Sequence, residues 1–237
     1  MEQIQNNRVI TDLYRENAQF PGIALDGSDV YLCWQRFVDR HDSLMASCRR
    51  GDKAVWEREI SDGGEVLHPV ILAHGGTIWY AWSEYARENW RILARCYRDG
   101  QWGEVLTVAS GEALFFPRLF TWQGKLHVIW TEQHKGSAAA VLCPLTEAGP
   151  GAAETVSTVG EAYRAGAAEG GDGNLYVAYD GFDGKQYKLF ARARTAAGWS
   201  EEIVVSQGED WASTPWIAAK PDGAVVGWYD YGYMAVY

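Results

Sequence analysis

The chain has 237 residues, of which 47% are hydrophobic and 14% aromatic, with 12 Trp and 13 Tyr. This composition excludes a disordered polymer, whose apolar content is too low to offset chain entropy, and the length suits one domain with a continuous core. A formal net charge of -10, with no basic cluster longer than Arg49-Arg50, repels phosphate backbones and excludes nucleic acid as a partner.

Met1–Ile10 is polar without an apolar h-region, and no run of 18 apolar residues follows, so neither export nor a membrane partner is expected. A cytoplasmic location is the expectation for the chain as it stands, with export of a longer parent left open. Met1–Phe20 aligns with a fourth-strand region further on, Arg8–Thr11 matching Glu201–Val205. Five segments then follow in turn: VYLCWQR, IWYAWSE, LHVIWTE, LYVAYDG and AVVGWYD. They place Trp34, Trp82, Trp130, Tyr179 and Trp228 at one position, 48 or 49 residues apart. A second marker keeps step: Pro21, Pro69, Pro117 and Pro215 stand 13 residues before their aromatic, and Ala165 stands 14 before Tyr179.

Each copy holds four short runs rich in β-branched and aromatic residues. In the second copy these are Val70–Ala73, Ile78–Trp82, Ile92–Tyr97 and Trp102–Val108. Tight turns between first and second strands are expected at Asp26-Gly27, Gly75-Gly76, Gln123-Gly124, Asp172-Gly173 and Asp222-Gly223. A period of this length holding four strands predicts an all-β five-bladed β-propeller of four-stranded antiparallel blades. It forms one domain over 1–237, with repeats at about 13–60, 61–108, 109–157, 158–205 and 206–237 plus 1–12. The last copy stops at Tyr233–Tyr237, inside its third strand, so the N-terminal strand is expected to pair with the C-terminal blade and close the ring. An open array of six or seven blades is the alternative.

The unit, Pro-x-[Ile/Leu] followed by Gly-x-[Leu/Ile/Val]-[Tyr/Trp/His]-[Val/Ala]-x-Trp and later Gly-x-Trp, resembles the BNR or sialidase-type propeller repeat over nearly the whole chain. The Asp-box of that family is reduced here to Asp99-Gly100-Gln101-Trp102 and Gly198-Trp199, so the resemblance implies architecture rather than sialidase chemistry. Length and blade number are also similar to five-bladed lectins of the tachylectin type, without their sugar-binding motif. Cys48, Cys96 and Cys143 recur at nearly one repeat spacing, on equivalent strands of separate blades. Only Cys33 and Cys48 share a blade, and four reduced thiols are expected.

Function is expected on the face that carries the second-to-third-strand loops and the blade links, which differ among copies. Trp90 and Trp211 break the repeat there, and with Tyr85, Arg118, Tyr163, Arg164 and Trp216 they are the candidate ligand-binding residues. Glu84, Glu132, Asp180 and Asp230 follow the marker aromatic and are candidate catalytic carboxylates, because glycoside hydrolysis needs two acids held apart. The inner-strand runs Gly22–Leu25, Val70–Ala73, Arg118–Thr121, Gly166–Ala168 and Trp216–Ala219 contain no acid, which weighs against that chemistry. Glu65, Glu112, Glu161 and Glu209 recur after Gly, either fixing the blade crossing or ringing the central channel with carboxylates. His41, His68 and His134 fall on different blades, so no metal is expected, and no cofactor motif is present. The preferred reading is a monomeric carbohydrate-binding module with a glycan ligand. A glycoside hydrolase, a polysaccharide lyase using Arg118, Arg164, His134 or Tyr163 on an acidic sugar, and a protein-interaction scaffold are the alternatives.

Overall fold

The computed structural model describes residues 17–61, 63–207, 210–230 and, for the backbone alone, 233–236. The described residues form strands and no helix, so no helix is long and apolar enough to cross a membrane. Blade one holds β1 (Asn17–Asp26), β2 (Asp29–Val38), β3 (His41–Arg50) and β4 (Lys53–Glu59). Blade two holds β5 (Glu65–His74), β6 (Thr77–Ala86), β7 (Asn89–Arg98) and an outer strand split into β8 (Gln101–Trp102) and β9 (Leu106–Gly111). Blade three follows as β10 (Ala113–Trp122), β11 (Lys125–His134), β12 (Ser137–Thr146), β13 (Gly149–Pro150) and β14 (Glu154–Thr155). Blade four is β15 (Ala162–Glu169), β16 (Leu175–Phe182), β17 (Tyr187–Thr195), β18 (Gly198–Trp199) and β19 (Ile203–Val204), and blade five is β20 (Ala212–Lys220), β21 (Gly223–Asp230) and β22 (Tyr233–Val236). Every sheet runs antiparallel in sequence order from inner to outer strand.

The two sequence markers meet at one device. In each inner strand two residues oppose a single residue of the second strand: Phe20-Pro21 against Trp34, His68-Pro69 against Trp82, Phe116-Pro117 against Trp130, Arg164-Ala165 against Tyr179, and Thr214-Pro215 against Trp228. This is a β-bulge, and a proline without an N–H fits where the ladder is interrupted. The marker aromatics are all buried, so each fills the space beneath its bulge.

The second-to-third-strand connections differ from expectation. In blades one to three they are two-residue turns, Asp39-Arg40, Arg87-Glu88 and Lys135-Gly136, every residue at positive φ. Among the described residues blade four carries a longer link, at 183–186. Left-handed backbone at non-glycine residues hides such turns from a sequence reading, because the cue for them is Asn-Gly or Asp-Gly. Glu84, Tyr85 and Trp90 consequently stand on strands, not in loops.

Buried clusters lie between successive blades: Cys33, Leu44, Tyr80 and Trp82 between the first and second, Trp79, Ala94, Val128 and Trp130 between the next pair, and Ile129, Leu142, Val177 and Tyr179 between the third and fourth. The cluster joining blades four and five is smaller, built on Leu189, Ala212 and Trp228. A repeated serine finishes three outer strands: Ser61, Ser157 and Ser206 each accept the N–H of Leu44, Ala140 and Leu189 at 3.0 Å. Cys33, Cys48, Cys96 and Cys143 are free and buried. Arg8–Thr11, expected to close the ring, lies outside the described residues.

Candidate functional site

The five inner strands border one cavity of about 540 Å³ at the end of the channel where the bulges lie. The residue before each marker proline enters that lining: Phe20, His68, Phe116, Arg164 and Thr214, with φ of 51, 53, 55, 45 and 55°. Left-handed backbone at a non-glycine residue is uncommon, and at a β-branched residue such as Thr214 it is an outlier. The fold thus spends strain five times over to turn these side chains towards the channel, which is the pattern expected of a functional position. The position is legible as the residue preceding the repeated proline, yet Phe20 and Thr214 stand outside the residues that the sequence reading places on the functional face, while His68, Phe116 and Arg164 stand within them.

Around this ring the aromatics touch in series. Phe20 lies edge-on to His68 at 4.9 Å, His68 contacts Phe116 at 4.2 Å, and Phe116 lies 6.1 Å from Phe115. Phe115 meets Trp90 edge-on at 4.6 Å, and Trp90 meets its cross-strand partner Tyr85 at 5.3 Å. A continuous aromatic run therefore leads from the rim of blade two into the channel. A second group sits on the same face at the seam of blades four and five, where Trp211, 53% exposed, lies 5.5 Å from Tyr187 and Tyr187 lies 6.2 Å from Tyr163. The Tyr163 hydroxyl accepts a hydrogen bond from Gln133 Nε2 at 3.2 Å.

Of the sequence-named binding residues, Arg118, Arg164 and Trp216 line the cavity itself. Arg164 Nε donates to both oxygens of the fully buried Asp180, at 2.9 and 3.1 Å, and the Thr214 N–H reaches Asp180 Oδ1 at 3.3 Å. The Arg164 N–H in turn donates to Thr131 Oγ1 at 3.1 Å. One second-strand side chain thus ties the bulge of the following blade in two successive blades. Arg118, exposed on β10, makes no hydrogen bond or ion pair with any described residue, and the partial loss of hydration against the channel walls pulls its guanidinium below its ordinary value. His68, near Arg118 and half-buried, is pushed down to about 4, burial being the larger cause and the Arg118 charge the smaller. It lines the channel.

The acids stand elsewhere. Glu84 is fully buried, accepting from Trp82 Nε1 at 3.1 Å and from Arg91, and the cavity lining contains no Asp or Glu. Glu132 and Asp230 are half-buried on β11 and β21. Glu112 pairs with His134 at 2.9 Å on the surface, and Glu65 is exposed at the start of β5. At Gly160-Glu161 the backbone carries the contact: the Gly160 carbonyl accepts from Ala138 and the Glu161 carbonyl from Phe182, stitching blade three to blade four. Glu65, Glu112 and Glu161 are absent from the cavity lining, and Glu209 lies outside the described residues. Among the described residues no three His, Cys, Asp or Glu come close enough to hold a metal ion.

Fold and channel together define an all-β propeller of five antiparallel blades. No family model matches the sequence, and no curated protein does. Among solved structures, an endo-arabinase from Bacteroides thetaiotaomicron superposes with a TM-score of 0.58 at 10% identity, covering 92% of this chain and 91% of that one. A mannose phosphorylase, MPT-4, from Leishmania mexicana superposes with a TM-score of 0.56 at 10% identity, over 91% and 80%. Zg3597, a family 117 glycoside hydrolase of Zobellia galactanivorans, superposes with a TM-score of 0.53 at 13% identity, over 88% and 74%. At such identities the likeness establishes the fold.

Proposed function

We propose that the chain is a lectin-like carbohydrate-binding propeller that takes its glycan at the channel mouth and along the aromatic run on the same face. The observation that carries this reading is the unbroken series Tyr85, Trp90, Phe115, Phe116, His68 and Phe20 leading into a cavity of about 540 Å³ whose described lining carries no acid. Sugar rings present apolar C–H faces that stack on such side chains, while a few polar groups fix orientation. The carbohydrate-active neighbours support the ligand class.

Hydrolysis is the second reading, favoured by the names of two of those neighbours. It needs two carboxylates several ångströms apart across the scissile bond. Glu84 and Asp180 are each buried against an arginine, which leaves neither facing the cavity. Glu132 and Asp230, neither with a hydrogen bond or ion pair among the described residues, are the acids that reading would have to use. A glycan array with the purified chain, followed by a reducing-end assay on every glycan retained, tests both. Retention without turnover, weakened about tenfold or more in Trp90→Ala as for a stacking hot spot, is the expected result. Turnover abolished by Glu132→Gln would establish the hydrolase instead, and no retention of any glycan would overturn the carbohydrate reading.

A further inference from the structure

We propose that Arg118 anchors the oxyanion of an acidic carbohydrate at the channel mouth, so that the ligand is a glycan carrying a carboxylate, sulfate or phosphate. This rests on the carbohydrate reading above and narrows it to one charge class. Arg118 enters the cavity from β10 directly after the bulge, where it pairs with Ile129. The chain has 31 acidic residues against 21 Lys and Arg, yet none of the described acids lines this cavity. The other guanidinium there, Arg164, is already neutralised by Asp180. Arg118 is therefore the one uncompensated charge that the described lining presents.

Its neighbours in the lining include Val70, Leu119 and Phe116, which offer no counter-charge, and Arg118 itself is exposed on β10. A guanidinium presented in a cleft without a partner is free to take a bidentate oxyanion through two charge-assisted hydrogen bonds. A neutral sugar would leave the charge unmet. A free inorganic anion would meet it while leaving Phe20, Phe116 and Trp216 uncovered, and those rings are what favours a sugar as the carrier. His68 stays neutral near pH 7 and so adds no second charge, with its Nδ1 buried and unbonded among the described residues. A single anionic group per site follows.

The test is an array of matched uronate, sialylated, sulfated and neutral oligosaccharides, probed with the wild-type chain, Arg118→Gln and Arg118→Lys, alongside calorimetry with inorganic phosphate and sulfate. Arg118→Gln removes an exposed cation that has no partner among the described residues, so its unfolding midpoint should stay close to that of wild type. Acidic glycans should be retained in preference to neutral ones, with a loss of about tenfold or more in Arg118→Gln, partial retention in Arg118→Lys, and weakening with salt. Equal retention of neutral glycans by wild type and Arg118→Gln would overturn the anion inference and leave the carbohydrate reading standing. Arg118-dependent binding of phosphate or sulfate with no glycan retained would do the reverse. No binding of any probe would overturn both.

Discussion

Asp180 offers the sharpest test of how the channel is held open. It is fully buried, receives Arg164 Nε at 2.9 and 3.1 Å, and accepts the Thr214 N–H at 3.3 Å, so one carboxylate joins the bulges of blades four and five. Asp180→Asn keeps the shape and an acceptor for Thr214 but removes the charge opposite Arg164. A pair about 4 Å apart at an effective dielectric near 20 gains about 4 kcal/mol, and breaking a buried pair from one side costs roughly 3 to 5 kcal/mol. The Arg164 side chain is 32% exposed and can draw on water, which places the expected loss at the lower end, about 3 kcal/mol. For a domain of this size that lowers Tm by roughly 6 to 12 °C. Urea unfolding monitored by both tryptophan fluorescence and circular dichroism gives the midpoint and checks two-state behaviour. The double variant Asp180→Asn with Arg164→Gln should recover at least about 1 kcal/mol of the loss, since the stranded charge is gone. A single-variant cost below about 1 kcal/mol, with no recovery in the double, would refute the latch.

Stability should separate the tryptophans: Trp82→Ala, fully buried, costs about 3 to 5 kcal/mol, Trp90→Ala less because the ring is half-buried against blade three, and Trp211→Ala stays within about 1 kcal/mol. An equal cost for Trp82 and Trp211 in urea unfolding would contradict the burial pattern. His68 binds a proton near pH 4 when folded and near its ordinary 6.5 when unfolded, so the unfolded state takes up protons first as pH falls. Stability conferred above pH 6.5 should therefore be lost progressively down to about pH 4, by up to roughly 3 kcal/mol, and His68→Asn should remove that part of the slope. Parallel wild-type and variant profiles over this range would sink the argument. Burial pushes the Cys33 and Cys143 thiols up to about 12 and about 11, so a thiol reagent at pH 8 should leave both unlabelled in the native chain and label all four cysteines after unfolding. A bridged pair in the alkylated mass would contradict this. Closure by the N-terminal strand predicts that deleting residues 1–12 lowers Tm, because Ile23 and Leu25 on β1 stand 65% and 64% exposed and β22 has no outer partner among the described residues. Identical unfolding of the truncated and full chains would remove the proposal.

The five-blade architecture was legible in the chain because a propeller repeats one local solution, and each repeat leaves its aromatic and its proline at fixed spacing. The 13-residue interval has a plain cause in the fold, since it spans the hairpin that brings each proline bulge opposite its own buried aromatic. Turn chemistry was only half visible: Gly75-Gly76 announced itself, whereas Arg87-Glu88 adopts the same left-handed geometry without glycine and made Trp90 look like a loop residue. Which charges survive at the site was decided by tertiary structure alone. Glu84, Asp180 and Arg118 look alike in a sequence as isolated charges near inner strands. Packing places Arg91 on the first and Arg164 on the second, and leaves the third facing the channel with no partner among the described residues. Such pairings join residues of separate strands or blades, where no periodic spacing records them, and the low dielectric of the interior then makes the presence or absence of one partner decisive.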